Sequence, residues 1–390
     1  MELHAFFLKE AGKTASMNPE PGQTAWECPS NIALVKYWGK DAGQIPMNAS
    51  VSFTLKASVV RISMAWKPVG EGSGGLSEFS LNGARNAGFQ KRIAGYLHSL
   101  QPFFPFLSRT AISVKSESTF PHSAGIASSA AAFGALSLCI CSMEQQLLQG
   151  VPGREYPEVA AKTESGVVNP KNEKPDPGFL EKASFMARLG SGSACRSVHG
   201  GFVAWGETPT LAGSGWESGV RLYDRDVDTR FSGLRDAILV VDDGEKAVSS
   251  SAGHALMRQH VYRSSRIAQA GANMEKMLMA VRLGDEDMFF RVLENEALAL
   301  HGLMMTSDPG FVLMKPATLE ALQRIRDFRE KSGLNLGYTM DAGPNIHLIY
   351  FSRDADVVRS FIQQEILPLC AGRRWIDDGI GEGPVPVRPF

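Results

Sequence analysis

The chain has 390 residues, enough for two domains or one large two-lobed fold, and 44% of its residues are hydrophobic. Its 40 Lys and Arg residues are balanced by 41 Asp and Glu residues, which excludes the overall positive field of a nucleic-acid-binding protein. The five cysteines are too few and too scattered for a disulfide framework. The N-terminal apolar patch is too short for a signal peptide, and no apolar stretch reaches the roughly 18 residues that span a bilayer. We therefore expect a cytoplasmic protein with neither a nucleic-acid nor a membrane partner.

The first half of the sequence predicts mainly strands, followed by one long helix. Residues 1–24 are mixed and polar, and we expect them to form an extension. Ala130–Leu148 is apolar on nearly every face, which is typical of a helix surrounded by core. Residues 151–178 are polar and contain five prolines, so we expect an inserted surface loop. Strands are predicted at Trp26–Val35, Ser50–Trp66, Phe79–Leu81 and Ala111–Ser116, and a helix at Phe89–Leu100.

The second half of the sequence predicts helices with a few strands between them. Strands first and helices later, in two segments, favour an α+β fold with two lobes, 1–208 and 209–390, and a cleft between them. Tyr338–Asn345 is expected to be a loop. Helices are predicted at Glu181–Leu189, His254–Arg282, Glu286–Met304, Pro316–Lys331 and Asp354–Cys370, and strands at Gly201–Trp205, Ala237–Val241 and Ile346–Phe351.

A loop of small residues directly precedes the long apolar helix. Small residues let the backbone approach a ligand closely, and a helix N-terminus offers unpaired N–H groups and a partial positive charge. This combination favours an anion site for nucleotide phosphates, although the Walker sequence GxxxxGK(S/T) is absent. The alternative is that Ser128 or Ser129 only caps a core helix. The loop comprises Ser123, Ala124, Gly125, Ile126, Ala127, Ser128 and Ser129.

A second motif, GSGSACRS, surrounds one arginine with hydroxyls and glycines. Arg196 follows Ser191, Gly192 and Ser193, and its guanidinium could clamp a carboxylate or phosphate bidentately. The alternative is an ordinary Ser/Gly turn beside a surface arginine. The motif alone leaves both interpretations open.

Two further motifs carry charge beside aromatic residues or turn residues. Lys36 and Lys40 bracket Tyr37 and Trp38, a pattern that by spacing alone favours a solvated edge of an aromatic strand. Asp341 lies in the Gly/Pro-rich segment YTMDAGPN, where an aspartate is usually a turn residue. A catalytic role for either motif therefore needs support from the rest of the chain.

The histidines and cysteines are expected to have structural roles. His254 and His301 lie on predicted helices and His347 in a predicted strand, and nothing in the sequence connects them to chemistry. Cys139 and Cys141 lie in an apolar run with no His or Cys cluster beside them, so we interpret them as small core residues.

Taken together and in this order, the motifs resemble the mevalonate diphosphate decarboxylases, a family of the GHMP kinase superfamily. The resemblance is carried by NIALVKYWGKD, FPHSAGIASSAAAF, GSGSACRSVHGGFVAW and YTMDAGPN, supported by Asn48–Leu55 and Val248–Ser251. It implies an N-terminal lobe like domain 2 of ribosomal protein S5 and a ferredoxin-like C-terminal lobe. The resemblance also implies a homodimer.

The resemblance also implies a reaction, the ATP-dependent decarboxylation of mevalonate 5-diphosphate to isopentenyl diphosphate, with Mg²⁺ accompanying the ATP. Asp341 would be the catalytic base, Lys36 would keep it ionised, and Arg196 would grip the substrate carboxylate. We expect no dedicated metal cluster, since Mg²⁺ binds largely through phosphates and water. The diphosphate would be held by Tyr37, Lys40, Ser191, Gly192, Ser193, Arg196, Ser250 and Ser251, and the ATP phosphates by Ser123, Ala124, Gly125, Ala127, Ser128 and Ser129.

Two other classes of function stay open at this point. One is a related GHMP enzyme that acts on mevalonate or mevalonate 5-phosphate, as a 3-kinase or a monophosphate decarboxylase; Lys36 and Lys40 with the GSGS turn favour the diphosphate instead. The other is an inactive binding protein on this fold, which the joint presence of Asp341, Arg196 and Lys36 disfavours. A Ser–His hydrolase is excluded because GxSxG does not occur at a strand-to-helix turn.

Overall fold

Two sheets, each packed against helices, organise the part of the chain that the computed structural model describes, namely residues 2–120, 126–149, 177–244 and 250–390. The described strands are β1 (Gly22–Val35), β2 (Ser50–Pro68), β3 (Gly75–Leu81), β4 (Thr110–Ser118), β5 (Phe202–Trp205), β6 (Gly219–Arg221), β7 (Leu234–Leu239), β8 (Leu336–Thr339), β9 (Ile346–Phe351), β10 (Trp375–Gly379) and β11 (Val385–Pro386). The described α-helices are α1 (Glu2–Glu10), α2 (Ala87–Ser99), α3 (Ser128–Gln149), α4 (Pro177–Gly190), α5 (Ala194–Ser197), α6 (Ser250–Leu256), α7 (Arg263–Leu283), α8 (Glu286–Met305), α9 (Pro316–Ser332) and α10 (Ala355–Phe361).

The first sheet is built on one long antiparallel pair, β1 and β2, which runs from Gly22 opposite Trp66 to Val35 opposite Val51. The strand order is β11-β1-β2-β4-β3, and β5 and β6 extend the sheet from the beginning of β2. Because β6 pairs with β5, the first sheet includes residues as far as Arg221. The first lobe therefore extends beyond residue 208, where it was predicted to end. The chain leaves this sheet at Val35, and the next residue, Lys36, contacts Glu296 and Asp341 of the second lobe.

Helix α3 is the central helix of the first lobe. Its sequence is rich in Ala and Leu, both strong helix formers, and residues such as Leu136 and Ile140 are fully buried. It packs on β1 and β2 on one side and on α4 and α5 on the other. Within the described residues, α3 is the one helix long and apolar enough to cross a membrane by composition, which corrects the expectation that no stretch reaches that length. Its burial instead makes it a core helix.

The second sheet is antiparallel, in the order β10-β7-β9-β8. It has its own apolar core, which includes Leu239, Tyr338 and Leu348 and packs against α9 and α10. Helix α8 contacts β8 of this sheet and β1 of the first, and α7 lies beside α8 and also contacts β1. These two helices therefore connect the lobes.

The junction between α7 and α8 follows ordinary capping chemistry. Gly284 ends α7 in the left-handed conformation, with φ 71°. Asp285 then caps α8, because its carboxylate accepts from the Met288 N–H at 2.9 Å. Glu286 and Asp287 add negative charge to the first turn, where the helix dipole favours it. The start of α8 is thus fixed by local sequence.

Residues 1–24 are not a simple extension, contrary to the prediction. Glu2–Glu10 forms α1, and the ring of Phe7 is buried 5.2 Å from the ring of Phe185. Strand β1 also begins earlier than predicted, at Gly22. An apolar face on this short helix binds it to the core of the first lobe, where the composition alone suggested a polar segment.

Three other predicted elements are corrected. The predicted helix His254–Arg282 is broken at His260, whose backbone is extended between α6 and α7. Tyr338 and Thr339, predicted to begin a loop, are the end of β8 and pair with β9. The predicted helix Asp354–Cys370 is α-helical only to Phe361 and then passes through a π turn into a short turn containing Pro368, which cannot supply a backbone donor. The other predicted strands and helices are confirmed with small shifts at their ends.

Candidate active site between the lobes

A lysine from one lobe and an aspartate from the other form an ion pair. The Nζ of Lys36 lies 2.8 Å from Oδ1 of Asp341. Lys36 follows the end of β1 and its side chain is 2% exposed, whereas Asp341 follows β8 and keeps 30% of its side chain exposed. An opposite charge at this distance favours the ionised carboxylate. The pair therefore presents a partly exposed carboxylate that is held by a buried ammonium.

Arg196 is a buried cation with no carboxylate partner among the described residues. Its side chain is among the largest that are fully enclosed, and its guanidinium donates to Ser50 Oγ and to Asn31 Oδ1. No carboxylate in the described ranges forms an ion pair with it. Burying a charge without a partner is costly, so this arrangement is suited to an anion that arrives from outside the chain.

Tyr37 connects the arginine to the lysine–aspartate pair. It is the residue after Lys36, and its ring centroid lies 5.5 Å from the Arg196 guanidinium carbon. The ring meets Trp205 edge-on at 5.0 Å and stacks on His254 at 5.0 Å with an interplanar angle of 9°. Consecutive residues thus place one side chain on Asp341 and the next beside Arg196.

Lys40 and His254 complete this group of side chains. The Nζ of Lys40 lies 5.6 Å from the Tyr37 ring centroid and donates to Gln44 Oε1 at 2.9 Å. His254 Nδ1 accepts from the Gly39 N–H at 3.0 Å, so the proton of a neutral ring is on Nε2. Burial, followed by the nearby charge of Lys40, lowers the pKa of His254 to about 3. The ring is therefore neutral at physiological pH.

The predicted Ser/Gly turn lies against the same aromatic side chains. A Cβ on Gly192 would come within 2.7 Å of the Trp205 ring and 3.4 Å of the Tyr37 hydroxyl, so the turn can pack here only with glycine. The Ser193 carbonyl accepts from Asn31 Nδ2 at 3.2 Å, and the Ser191 carbonyl accepts from the Ala194 N–H at 2.8 Å. The turn and Arg196 are therefore brought to Tyr37 together.

The predicted phosphate loop is described only in part. Ser123, Ala124 and Gly125 lie outside the described residues. Helix α3 begins at Ser128, two residues before the predicted start at Ala130. The Ala130 N–H donates to the Ala127 carbonyl at 2.8 Å. Ala127, Ser128 and Ser129 are half-buried. Their contact with nucleotide phosphates stays a prediction.

Two serines remain among the residues predicted to bind the substrate, and no metal ligand was assigned from the sequence. Ser250 and Ser251 begin α6, the helix that carries His254 to the Tyr37 ring. In the described ranges, no group of three or more His, Cys, Asp or Glu side chains is arranged to hold a metal ion.

Sequence reasoning missed several residues that shape this site. Asn31 and Ser50 are buried polar positions in β1 and β2, and their place in the segments NIALVKYWGKD and Asn48–Leu55 is the signal that could have identified them. Glu296 is a charged residue on the buried face of the predicted helix Glu286–Met304, a placement that normally requires a partner. His254, predicted to be structural, lies among the predicted site residues, and no local pattern indicates this.

The two-lobed α+β fold, with the long helix α3 in one lobe and Asp341 after β8 in the other, is of the GHMP kinase type. Solved structures share this fold. A structure described as MDDEF in complex with MVAPP, AMPPCP and magnesium superposes with a TM-score of 0.74 at 23% identity, covering 94% of this chain and 99% of that one. The mevalonate diphosphate decarboxylase from Enterococcus faecalis, in a structure described as showing a mevalonate diphosphate mediated ATP binding mechanism, gives a TM-score of 0.72 at 22% identity, with coverages of 94% and 99%.

Sequence comparisons identify the family. A model of the diphosphomevalonate decarboxylase-like N-terminal domain matches residues 28–152 and 179–214, and a model of the mevalonate 5-diphosphate decarboxylase C-terminal domain matches residues 237–376. The diphosphomevalonate decarboxylase of Eremothecium gossypii is 30% identical over 84% of this chain and 77% of its own length. That of Gibberella zeae is 28% identical over 93% of this chain and 96% of its own length. The chain belongs to the diphosphomevalonate decarboxylase family.

Proposed function

We propose that this chain catalyses the ATP-dependent decarboxylation of mevalonate 5-diphosphate to isopentenyl diphosphate, with ADP, phosphate and CO2 as the other products. The family assignment and the names of the relatives support the reaction. The observation that carries it to this site is the Lys36–Asp341 pair, connected through Tyr37 to a buried Arg196 that has no described carboxylate partner. One base and one unmatched cation are what a substrate with both a hydroxyl and a carboxylate requires.

Asp341 is proposed to take the proton of the C3 hydroxyl. A tertiary alcohol is a poor nucleophile, so attack on the terminal phosphorus of ATP needs a base within hydrogen-bond reach. The C3–O–P bond forms as the bond to ADP breaks, and the hydroxyl proton passes to the carboxylate. The buried Lys36 keeps that carboxylate ionised before the transfer and in position during it.

Arg196 is proposed to hold the substrate carboxylate beside C3. When phosphate leaves C3, positive charge develops there, and the electrons of the C–C bond to the carboxylate form the new double bond as CO2 departs. A planar guanidinium can bind both carboxylate oxygens and fix this geometry. Asn31 and Ser50 already orient the guanidinium, so little has to be reorganised when the substrate binds.

The 5-diphosphate is proposed to lie against Lys40, Tyr37 and the Ser191–Ser193 turn, with Ser250 and Ser251 from α6 helping. Lys40 supports this proposal because its ammonium lies over the Tyr37 ring and contacts only the neutral Gln44 side chain among its described hydrogen-bond partners. Gly192 supports it because its lack of a side chain leaves the turn close to the Tyr37 hydroxyl.

ATP is proposed to bind with its phosphates at the loop that ends in Ala127, Ser128 and Ser129. Small residues before a long helix provide backbone donors and the positive end of the helix dipole. Mg²⁺ neutralises phosphate charge when it is bound with ATP. We propose that the ion is held by phosphates, water and one or two side chains, because Mg²⁺ keeps several waters and binds largely through substrate phosphates.

The surroundings of the enzyme are part of the same proposal. We propose a cytoplasmic homodimer. The five cysteines support a reducing compartment because they are unpaired and buried, as structural thiols are. Light scattering on the purified protein tests the dimer: a mass near twice the 42.3 kDa of the chain is expected, and a monomer at working concentration would contradict it.

The reaction is tested by incubating the protein with ATP, Mg²⁺ and mevalonate 5-diphosphate and measuring CO2 and isopentenyl diphosphate. Both products are expected in equal amounts, with one ADP formed for each. A phosphorylated product that accumulates without CO2 would show that the chain is a related kinase. No consumption of ATP would show that it is inactive.

A further inference from the structure

The structure assigns to helix α8 a positioning role: Glu296, paired with Arg266, holds the backbone of Lys36, and His301 holds the backbone of Asp341, so that one helix sets the spacing of the proposed catalytic pair. This inference rests on the proposed function. The two residues are five positions apart on α8, whereas Lys36 and Asp341 come from different lobes.

Glu296 and Arg266 grip both backbone groups of Lys36. Glu296 is fully buried, and its Oε2 accepts from the Lys36 N–H at 2.8 Å. Arg266 Nη2 donates to the Lys36 carbonyl at 2.8 Å and to Glu296 Oε2 at 2.5 Å. Asn273 also donates to Glu296, at 2.6 Å, so the carboxylate is held by several donors at once. Both halves of the grip come from helices that connect the lobes.

These hydrogen bonds take the place of strand pairing at the point where β1 ends. β1 stops at Val35, so among the described residues the Lys36 backbone is bonded by side chains: its N–H donates to Glu296, and its carbonyl accepts from Arg266 and, at 3.1 Å, from Asn48 Nδ2. Left unpaired in a buried place they would each be costly, and a hydrophobic neighbour would not satisfy them. A buried ion pair is a poor source of stability, but it fixes a geometry well, because moving it exposes two charges to an apolar surrounding.

His301 holds the other partner. Its Nε2 lies 3.2 Å from the Asp341 carbonyl, and its side chain is 2% exposed. Burial lowers the pKa of His301 to about 4, so the ring is neutral, and the contact with a carbonyl requires its proton to be on Nε2. The ring thus donates to the backbone of Asp341, whose carboxylate pairs with Lys36.

Pairs of variants separate an effect on the spacing of Lys36 and Asp341 from an effect on folding. His301→Leu removes the donor, while His301→Gln keeps an amide donor at a similar reach. The double change Arg266→Met with Glu296→Leu removes the grip on Lys36 without leaving a lone buried charge. Glu294→Gln is the matched control, because Glu294 lies on the same helix but pairs with Arg329 at 2.6 Å, away from Lys36.

We expect His301→Leu and the double variant to lose about 10²-fold in kcat, the scale of a misplacement of about 1 Å, with KM for both substrates nearly unchanged. His301→Gln should recover most of kcat, and Glu294→Gln should resemble the wild type. Thermal unfolding of every variant shows which proteins are folded at the assay temperature.

Folded His301→Leu and double variants with wild-type kcat would overturn the inference. A loss of kcat in His301→Gln or Glu294→Gln equal to that in His301→Leu would also overturn it, because the effect would then be general damage to α8. A wild type that does not turn over mevalonate 5-diphosphate would instead contradict the proposed function, before any variant is compared.

Discussion

Lys36 and Asp341 are 305 residues apart in the chain, yet the lysine Nζ lies 2.8 Å from the aspartate Oδ1. The contact joins the end of β1 in the first lobe to the turn after β8 in the second. A movement of one lobe relative to the other would break it. Catalysis in the proposed reaction therefore depends on the packing between the lobes as much as on the residues that touch substrate.

Asp341→Asn keeps the size of the side chain and removes the base. We expect turnover to fall by roughly 10²–10⁴-fold or more, the scale of losing a general base, with ATP binding little changed. Steady-state kinetics and ATP titration measure the two effects. Asp356→Asn, at an exposed position on α10, is the control. Near-normal turnover in a folded Asp341→Asn protein would contradict the role assigned to Asp341.

Arg196→Lys keeps the charge but replaces the planar, two-pronged donor with a point charge. We expect kcat/KM for mevalonate 5-diphosphate to fall by about 10-fold or more, because a charge-assisted hydrogen bond contributes about 1.5–3 kcal/mol. KM for ATP should change little. The same kinetics on Arg324→Lys, at a partly exposed ion pair on α9, provide the comparison. An unchanged Arg196→Lys enzyme would show that the guanidinium does not bind the carboxylate.

Lys40→Ala should weaken binding of the diphosphate end by about 1.5–3 kcal/mol. Mevalonate, which has no phosphate for Lys40 to hold, should be affected much less. The measurement is kcat/KM for each substrate in the wild type and the variant, with Lys331→Ala, exposed on α9, as the control. Equal losses on the two substrates would place Lys40 elsewhere than at the diphosphate.

Residues 151–178 are predicted from their polar, proline-rich composition to be peripheral. The match to the N-terminal family model stops at residue 152 and resumes at residue 179, which fits an insertion. We expect a protein shortened within this segment to keep most of its turnover. A folded shortened protein with a large loss of kcat would show that the segment contributes to the site.

His301 should make stability depend on pH. Its pKa in the folded protein is lowered to about 4 from an ordinary value of 6.5, so between these values the unfolded chain binds more protons than the folded one. The resulting stability is complete above pH 6.5 and is lost as pH falls towards 4. Denaturant unfolding at several pH values should show that the free energy of unfolding falls more steeply between pH 6.5 and 4 in the wild type than in His301→Gln. If the free energy of unfolding depends on pH equally in both proteins, His301 is not buried as a neutral ring.

Much of the architecture follows from local sequence. The alternation in Ser50–Trp66 predicted β2, and Ala130–Leu148, apolar on nearly every face, predicted the buried helix α3. The short strands β6 and β11 left no such pattern. They form because a neighbouring strand offers backbone partners, which a single segment cannot reveal.

The site was predictable only where its residues lie in distinctive motifs. Lys36, Arg196 and Asp341 were identified through their resemblance to a family, since no spacing rule connects positions so far apart. Glu296 contacts Lys36 across 260 residues and belongs to no motif, so only the folded chain shows the contact. His254 was missed for the same reason: its stacking on Tyr37 depends on how α6 meets the first lobe.

The most direct test of the central claim is the efficiency of CO2 release from three substrates, namely mevalonate, its 5-phosphate and its 5-diphosphate, each with ATP and Mg²⁺. Binding energy from the remote diphosphate should position the C3 hydroxyl against ATP. We therefore predict that kcat/KM is highest for the 5-diphosphate, lower for the 5-phosphate and very low for mevalonate. Equal efficiency on mevalonate and its 5-diphosphate, or consumption of ATP without CO2, would contradict the assignment.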